Sequence, residues 1–213
     1  MLYQTEPYFN RKKISRIKNL EISLEKKLQQ LHPRKIDLSL ERINKLLIKL
    51  GNPEKKIKNI IHIAGTNGKG SVLAFLKSFI QASGCSVNTY TSPHLIRFNE
   101  RINLNGQNIS DNLLNELLNI CHKKNNGNPI TFFEMTTVAA FLAFRKKPAN
   151  FTILETGLGG RLDATNVIEK PIVTIINEIS IDHTNYLGSN IKEIAKEKAG
   201  IIKKKTLVVI GKQ

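Results

Sequence analysis

The chain has 213 residues, 40% of them hydrophobic, which provides for a sizeable core and excludes a mostly disordered chain; one large domain, or one domain with a small appendage, is expected. Its 33 Lys and Arg against 17 Asp and Glu give a net charge of +16, but the lysines are scattered, no Trp is present and arginines are not interleaved with aromatics, so the charge reads as a solvated surface and not a nucleic-acid groove. No apolar run reaches the roughly 18–20 residues of a membrane span, the start MLYQTEPYFNRKK lacks an apolar secretory core, and Cys85 and Cys121 have no metal-like spacing, so a cytoplasmic protein with two reduced, buried thiols is expected.

Much of the lysine excess is compositional: 25 Lys, 22 Asn and 28 Ile share A/T-rich codons. Along the chain, Ile14, Ile17, Leu20, Leu24, Leu28 and Leu31 recur at helical spacing and predict an amphipathic helix over 11–31, ended by His32-Pro33. A second helix is predicted from Asp37 or Ser39, both good N-caps, to Gly51. The pattern then changes to the β-rich run 59–63, the loop Ala64-Gly65-Thr66-Asn67-Gly68-Lys69-Gly70-Ser71, and a helix from Val72 to Ser83. Ser86–Tyr90 reads as the next strand, and 101–104 and 107–109 flank Asn105-Gly106, a strong hairpin signal. Helices are predicted over 111–124 and 131–147. Strands are predicted over 151–154, 172–176 and 206–210, with a helix capped by Ser189 running to Lys198 before the last. Strands that are continuous apolar runs, alternating with helices, predict an α/β fold with a mostly parallel sheet covered on both faces.

The Gly-rich loop between a strand and a helix carries the strongest chemistry. Small residues let successive N–H groups converge on one point, the helix adds its positive end, and Lys69 adds a full charge for β- and γ-phosphates. Ser71 follows two residues later, where a P-loop hydroxyl would meet Mg²⁺. The spacing departs from G-x-x-x-x-G-K-[ST], which would put its first Gly at Ile63 and its hydroxyl at position 70. Three acidic residues in apolar or glycine-rich settings are candidate metal ligands: Glu134 in the first turn of an apolar helix, Glu155 at a strand end, and Asp182 before His183. Glu134 and Asp182 also have plain structural readings, as a helix-start charge and a loop cap. Pattern alone makes Lys198 a helix C-terminal cation paired with Glu193 or Glu197.

The segments HIAGTNGKGSV (62–72), TSPHL (91–95) with NERI (99–102), ETGLGGRLDATN (155–166) and DHTNYLG (182–188) with EKAGI (197–201) together resemble the folylpolyglutamate synthase/dihydrofolate synthase family of the Mur ligase superfamily. The resemblance runs from about Ile36 to Gln213. It implies a P-loop-type, Mur ligase-like central domain over 1–213, with a helical N-terminal segment 1–51. It implies an ATP-dependent amide ligase that joins L-glutamate to dihydropteroate, or to the γ-carboxylate of a folate, through an acyl phosphate. By that resemblance Gly65, Thr66, Asn67, Gly68, Lys69, Gly70 and Ser71 bind ATP, and Asp37, Leu38 and Ser39 form the pterin-substrate segment. Ser71, Ser92 and Glu134 would ligate one Mg²⁺, and His183 and a carbamylated Lys198 a second; Lys69, Lys198 and His183 are the catalytic set. The loop 92–101 would close over the pterin side. A monomer is expected, with small-molecule substrates and neither nucleic acid nor membrane as a partner. The family's C-terminal domain, which helps bind ATP and glutamate, has no counterpart here, so a fragment of the full enzyme is expected. The rival readings are a non-catalytic nucleotide-binding remnant, a Mur-type peptide ligase acting on a UDP-sugar peptide, and a basic nucleic-acid binder.

Overall fold

The structure is a computed structural model and describes residues 37–213. The helix expected over 11–31, and with it most of segment 1–51, lies outside the described residues. Helix α1 (Glu41–Lys49) follows. It begins just after its two expected caps: Ser39 Oγ accepts the Glu41 N–H at 3.1 Å, whereas the Asp37 carboxylate turns to Arg42.

The strands are β1 (Ile60–Ala64), β2 (Val87–Tyr90), β3 (Ile102–Leu104), β4 (Gln107–Asn108), β5 (Phe151–Glu155), β6 (Val173–Ile176) and β7 (Leu207–Ile210). They form one sheet in the order β4-β3-β2-β5-β1-β6-β7. All neighbours from β2 to β7 pair in parallel, and the β3–β4 hairpin adds an antiparallel edge. Asn105 and Gly106 turn that hairpin at φ +49° and +91°, the two positive values a two-residue turn requires. β1 lies between β5 and β6 and is buried at all five positions, which is why its sequence is apolar without alternation.

Helix α2 (Lys69–Ala82) covers one face, over Ile61, Ile63, Val87 and Ile153. On the other face α1, α3 (Asp111–Asn125) and α4 (Phe132–Lys146) enclose the larger core around Tyr90, Phe141, Phe144 and Leu154. The expected doubly covered sheet is therefore present. Short α5 (Thr184–Leu187), which the sequence reading did not include, precedes α6 (Ile191–Ala199). The cap of α6 is Asn190, not Ser189: Asn190 Oδ1 accepts the Glu193 N–H at 3.1 Å, while Ser189 donates its own N–H to the Glu193 carboxylate. Cys121 is buried and its thiol is pushed up to about 12 by burial; Cys85 is only half-buried, which corrects the expectation of two buried thiols. Among the described residues no helix is long and apolar enough to cross a membrane.

His62, in the middle of β1, is fully buried, and burial holds its imidazole down at about 3, helped by the Lys203 charge. Its Nε2 lies 2.8 Å from Thr165 Oγ1, and that hydroxyl donates to Asp163 Oδ1 at 2.6 Å, so the imidazole donates to the threonine oxygen. Between pH 6.5 and 3 the unfolded chain binds a proton at His62 that the folded chain refuses. Stability from this site is complete above pH 6.5 and is lost as pH falls toward 3. The slope contributed by one such group reaches about 1.4 kcal/mol per pH unit. Urea unfolding across that range should therefore lose stability less steeply in His62→Gln than in the parent chain, and equal slopes would contradict the neutral buried imidazole.

Candidate active site

β1 runs straight into the Gly-rich loop, and the segment after β6 clasps that loop from the side. Asn177 donates its backbone N–H to Ala64 O at 2.7 Å and its side-chain Nδ2 to Asn67 O at 2.6 Å. The Thr66 N–H goes to Glu178 O at 2.7 Å, and Thr66 Oγ1 exchanges hydrogen bonds with Ser180. Gly68 sits at φ +72° with the Asn177 amide where a Cβ would be, so glycine is required there. α2 begins at Lys69, earlier than the Val72 expected, because Gly68 supplies the turn. Lys69, Gly70 and Ser71 are thus the helix's first turn, whose N–H groups have no intrahelical partner and, with the helix dipole, favour an anion.

Two lysines converge on one carbonyl. Lys69 Nζ donates to Gly65 O at 3.1 Å and to Thr66 O at 3.2 Å, and Lys198 Nζ donates to the same Gly65 O at 3.0 Å. Lys198 is buried at the end of α6, and burial, then the Lys69 charge, lowers its ammonium to about 8. The pattern-based pairing of Lys198 with Glu193 or Glu197 is not found, because Glu197 pairs with Arg161 and Glu193 turns to Ser189. Glycine allows the approach: a Cβ on Gly160 would stand 2.8 Å from Lys198 O.

A cleft of about 500 Å³ opens beside this loop. It gathers Gly65, Thr66 and Lys69 with Ser92, Glu134, His183 and Lys198, and with Asp37, Leu38 and Ser39 at another part of its wall. These come from six separate stretches of sequence. Asn67, Gly68, Gly70 and Ser71 do not line it and are exposed. His183 sits at the rim, at φ +50°, with its side chain half exposed and its Nε2 3.5 Å from Asp182.

The acidic candidates separate by environment. Glu155, at the end of β5, accepts hydrogen bonds from Thr91 Oγ1 and from the Ser92 N–H, the latter at 3.3 Å, and a Cβ on Gly70 would lie 3.9 Å from its Oε2. Burial pushes its carboxyl up, and Thr91, Ser92 and the Lys69 charge pull it back. Glu134 is buried in the first turn of α4, where it and Thr131 cap each other; Arg42 donates to its Oε2 at 3.1 Å and its Oε1 has no partner. Among the described residues no three His, Cys, Asp or Glu side chains gather into a metal cluster.

Residues 63–211 match the Mur ligase middle domain. The chain belongs to that family. This Mur ligase domain is 50% identical over 172 residues to the dihydrofolate synthase/folylpolyglutamate synthase of Bacillus subtilis (strain 168), a match that covers 77% of this chain and 39% of that protein. It superposes on E. coli FolC in complex with DHPP and ADP with a TM-score of 0.85 at 35% identity, over 89% of this chain and 45% of that one. It superposes on the bifunctional folylpolyglutamate synthase/dihydrofolate synthase of Yersinia pestis, complexed with AMPPNP and Mn ion, with a TM-score of 0.82 at 34% identity, over 90% and 47%. The chain thus spans about half the length of these relatives, or less.

Three residues of this Mur ligase site went unassigned in the sequence. Arg42 looks like a surface arginine on an amphipathic helix, yet it bridges Asp37 and Glu134. Asp163 holds the loop after β5, accepting from the Gly157 and Leu158 N–H groups at 2.8 and 2.9 Å and from Thr165. Asn177 holds the Gly-rich loop. Arg42 and Asn177 lie outside the quoted motifs; Asp163 lies within the 155–166 segment, and its signal is that of an N-cap ahead of Ala164–Val167.

Proposed function

We propose that the protein is an ATP-dependent amide ligase that adds L-glutamate to dihydropteroate, to the γ-carboxylate of a folate, or to both. The observation that carries this reading is the single cleft that joins the lysine-bearing Gly-rich loop to the 37–39 segment. A carboxylate is a poor electrophile. Transfer of the γ-phosphoryl group of ATP to one of its oxygens gives an acyl phosphate and ADP. Attack by the glutamate amine then forms the amide and releases phosphate and a proton. The first turn of α2 and Lys69 hold the phosphates, and Asp37, Leu38 and Ser39 receive the acid substrate.

The donors beside the loop suit Mg²⁺, which takes hard oxygen ligands and keeps several waters. Glu155 fits better than Glu134: it lies against Ser92 and Gly70, and its burial is only partly offset by Thr91, Ser92 and the Lys69 charge, whereas Glu134 is already paired with Arg42. Ser71, Ser92 and Glu155 would hold one ion, and His183 and Lys198, as its carbamate, a second. Bound Mg²⁺ would neutralise charge on the transferred phosphoryl group. An amine lowered to about 8 supports carbamylation, since CO₂ adds to the neutral form. The reading also makes the protein a cytoplasmic monomer without nucleic-acid or membrane partners.

The deciding assay, on the protein as its gene encodes it, is phosphate release from ATP with dihydropteroate and L-glutamate added singly and together. Release that requires both supports the ligase. Nucleotide binding with no coupled release supports the non-catalytic remnant, the second reading that the partial coverage of its relatives leaves standing.

A further inference from the structure

The segment that follows β5 is pressed against the end of α6, where the last helical carbonyls have no intrahelical donor. The Arg161 N–H donates to Glu197 O at 2.7 Å. The Arg161 guanidinium donates from Nε and Nη2 to Glu197 Oε1 at 3.0 and 2.8 Å. Asn166, itself buried, donates its Nδ2 to Arg161 O at 2.9 Å and to Gly200 O at 3.1 Å. These bonds fall on both sides of Lys198. Two glycines let the backbones meet. A Cβ on Gly160 would stand 2.8 Å from the carbonyl oxygens of Glu197 and Lys198 and 3.0 Å from Lys198 Cα, and one on Gly200 would stand 2.4 Å from Arg161 Cβ.

The side chain of Lys198 leaves this contact and crosses to Gly65 O at 3.0 Å. A lysine amine rides on a flexible four-carbon stem, so where it arrives depends on how firmly its Cα is held. Helix α6 has nine residues, too few to fix its own end without outside contacts. We infer that Arg161 is a positioning residue for Lys198: with Asn166 it clamps the end of α6 so that the amine is delivered to the Gly-rich loop. The part Lys198 plays in turnover rests on the ligase reading above; the clamp rests on these contacts. The Arg161 side chain is half exposed, and such an ion pair adds little to global stability, so its removal separates position from folding.

Arg161→Glu sets two carboxylates against each other at this contact. Coupled phosphate release should fall about 10- to 100-fold, the scale for a catalytic group displaced by about 1 Å. Mg²⁺–ADP affinity and the unfolding temperature should stay near those of the parent, because Asn177 and Glu178 hold the Gly-rich loop. The exchanged pair, Arg161→Glu with Glu197→Arg, should recover most of the loss. Gly160→Ala keeps the ion pair but drives a methyl group into the Lys198 backbone, and should lose turnover in the same selective way. Labelling with acetic anhydride, read by mass spectrometry, follows the clamp without turnover. Lys198 is 4% exposed. It should be labelled several-fold faster in Arg161→Glu and in Gly160→Ala, and at the parent rate in the exchanged pair, with Lys69 and Lys203 unchanged. Unchanged labelling of Lys198 in both variants would overturn the inference, as would full turnover in Arg161→Glu. Equal acceleration at all three lysines with a lower unfolding temperature would make Arg161 a support of the whole fold and overturn it too. Coupled release by the parent protein decides the ligase reading separately, and the labelling decides the clamp whichever way that falls.

Discussion

Lys69→Ala should reduce the affinity for ADP by about two to four orders of magnitude. The ammonium now lies across the Gly65 and Thr66 carbonyls, so it is held at the loop and need not be recruited from solvent. One lysine can give two charge-assisted hydrogen bonds to phosphate oxygens, each worth about 1.5–3 kcal/mol, and about 1.4 kcal/mol is a tenfold change in affinity. The alanine variant keeps the α2 N-terminus and the glycine loop, so the loss isolates the lysine charge. Lys69→Arg should recover little, because a planar fork cannot take the place of a compact ammonium folded back over its own loop. Titration of ADP with Mg²⁺ reads the effect directly, and an unchanged affinity would remove the phosphate-site assignment.

The sheet was legible from the chain because its evidence is local. The run Ile60–Ala64, the Asn105-Gly106 turn and the Thr131 cap with Glu134 three residues on each specify their own element. Where two residues compete for one task, local signals stop deciding. Ser189 and Asn190 are both good caps, and the backbone at Asn190 chose between them. Ser39 and Asp37 both precede α1, but Arg42, a turn later, draws Asp37 away from the helix start. The site was legible in its parts and not in its pairings. Periodicity cannot show that Arg42 reaches Glu134 across 92 positions, or that Lys198 returns across 133 positions to the carbonyl of Gly65. The same limit governs the acidic candidates. Sequence rates Glu134 and Glu155 alike, as carboxylates in apolar company, and only the neighbours distinguish them: Arg42 for one, Thr91, Ser92 and Gly70 for the other.

Lys198→Ala tests what that long return is for, and the cost should be at least about a hundredfold in coupled phosphate release, the scale on which a metal-positioning or oxyanion-holding group acts. Two roles are open to this side chain, and they predict opposite rescues. As an ammonium it braces the Gly-rich loop through Gly65 O. As a carbamate it presents a carboxylate-like oxygen pair to a cation. An ammonium lowered to about 8 leaves about one amine in ten neutral at pH 7, and more as pH rises, so CO₂ has a reactive form to meet without any unfolding of the site. Burial is the first cause of that lowering and the Lys69 charge the second, so a carbamate here would depend on the same cation proposed to hold the phosphates. In the alanine variant a short carboxylic acid such as acetate should restore part of the activity and a small amine such as methylamine should not, if the carbamate is the working form. The reverse pattern would make Lys198 a brace. Lys198→Arg sharpens the contrast: it keeps a cation near Gly65 O but cannot take up CO₂ at neutral pH, so it should be as inactive as the alanine variant and, with the space already filled, should not respond to acetate. Full activity in Lys198→Arg would rule out the carbamate outright.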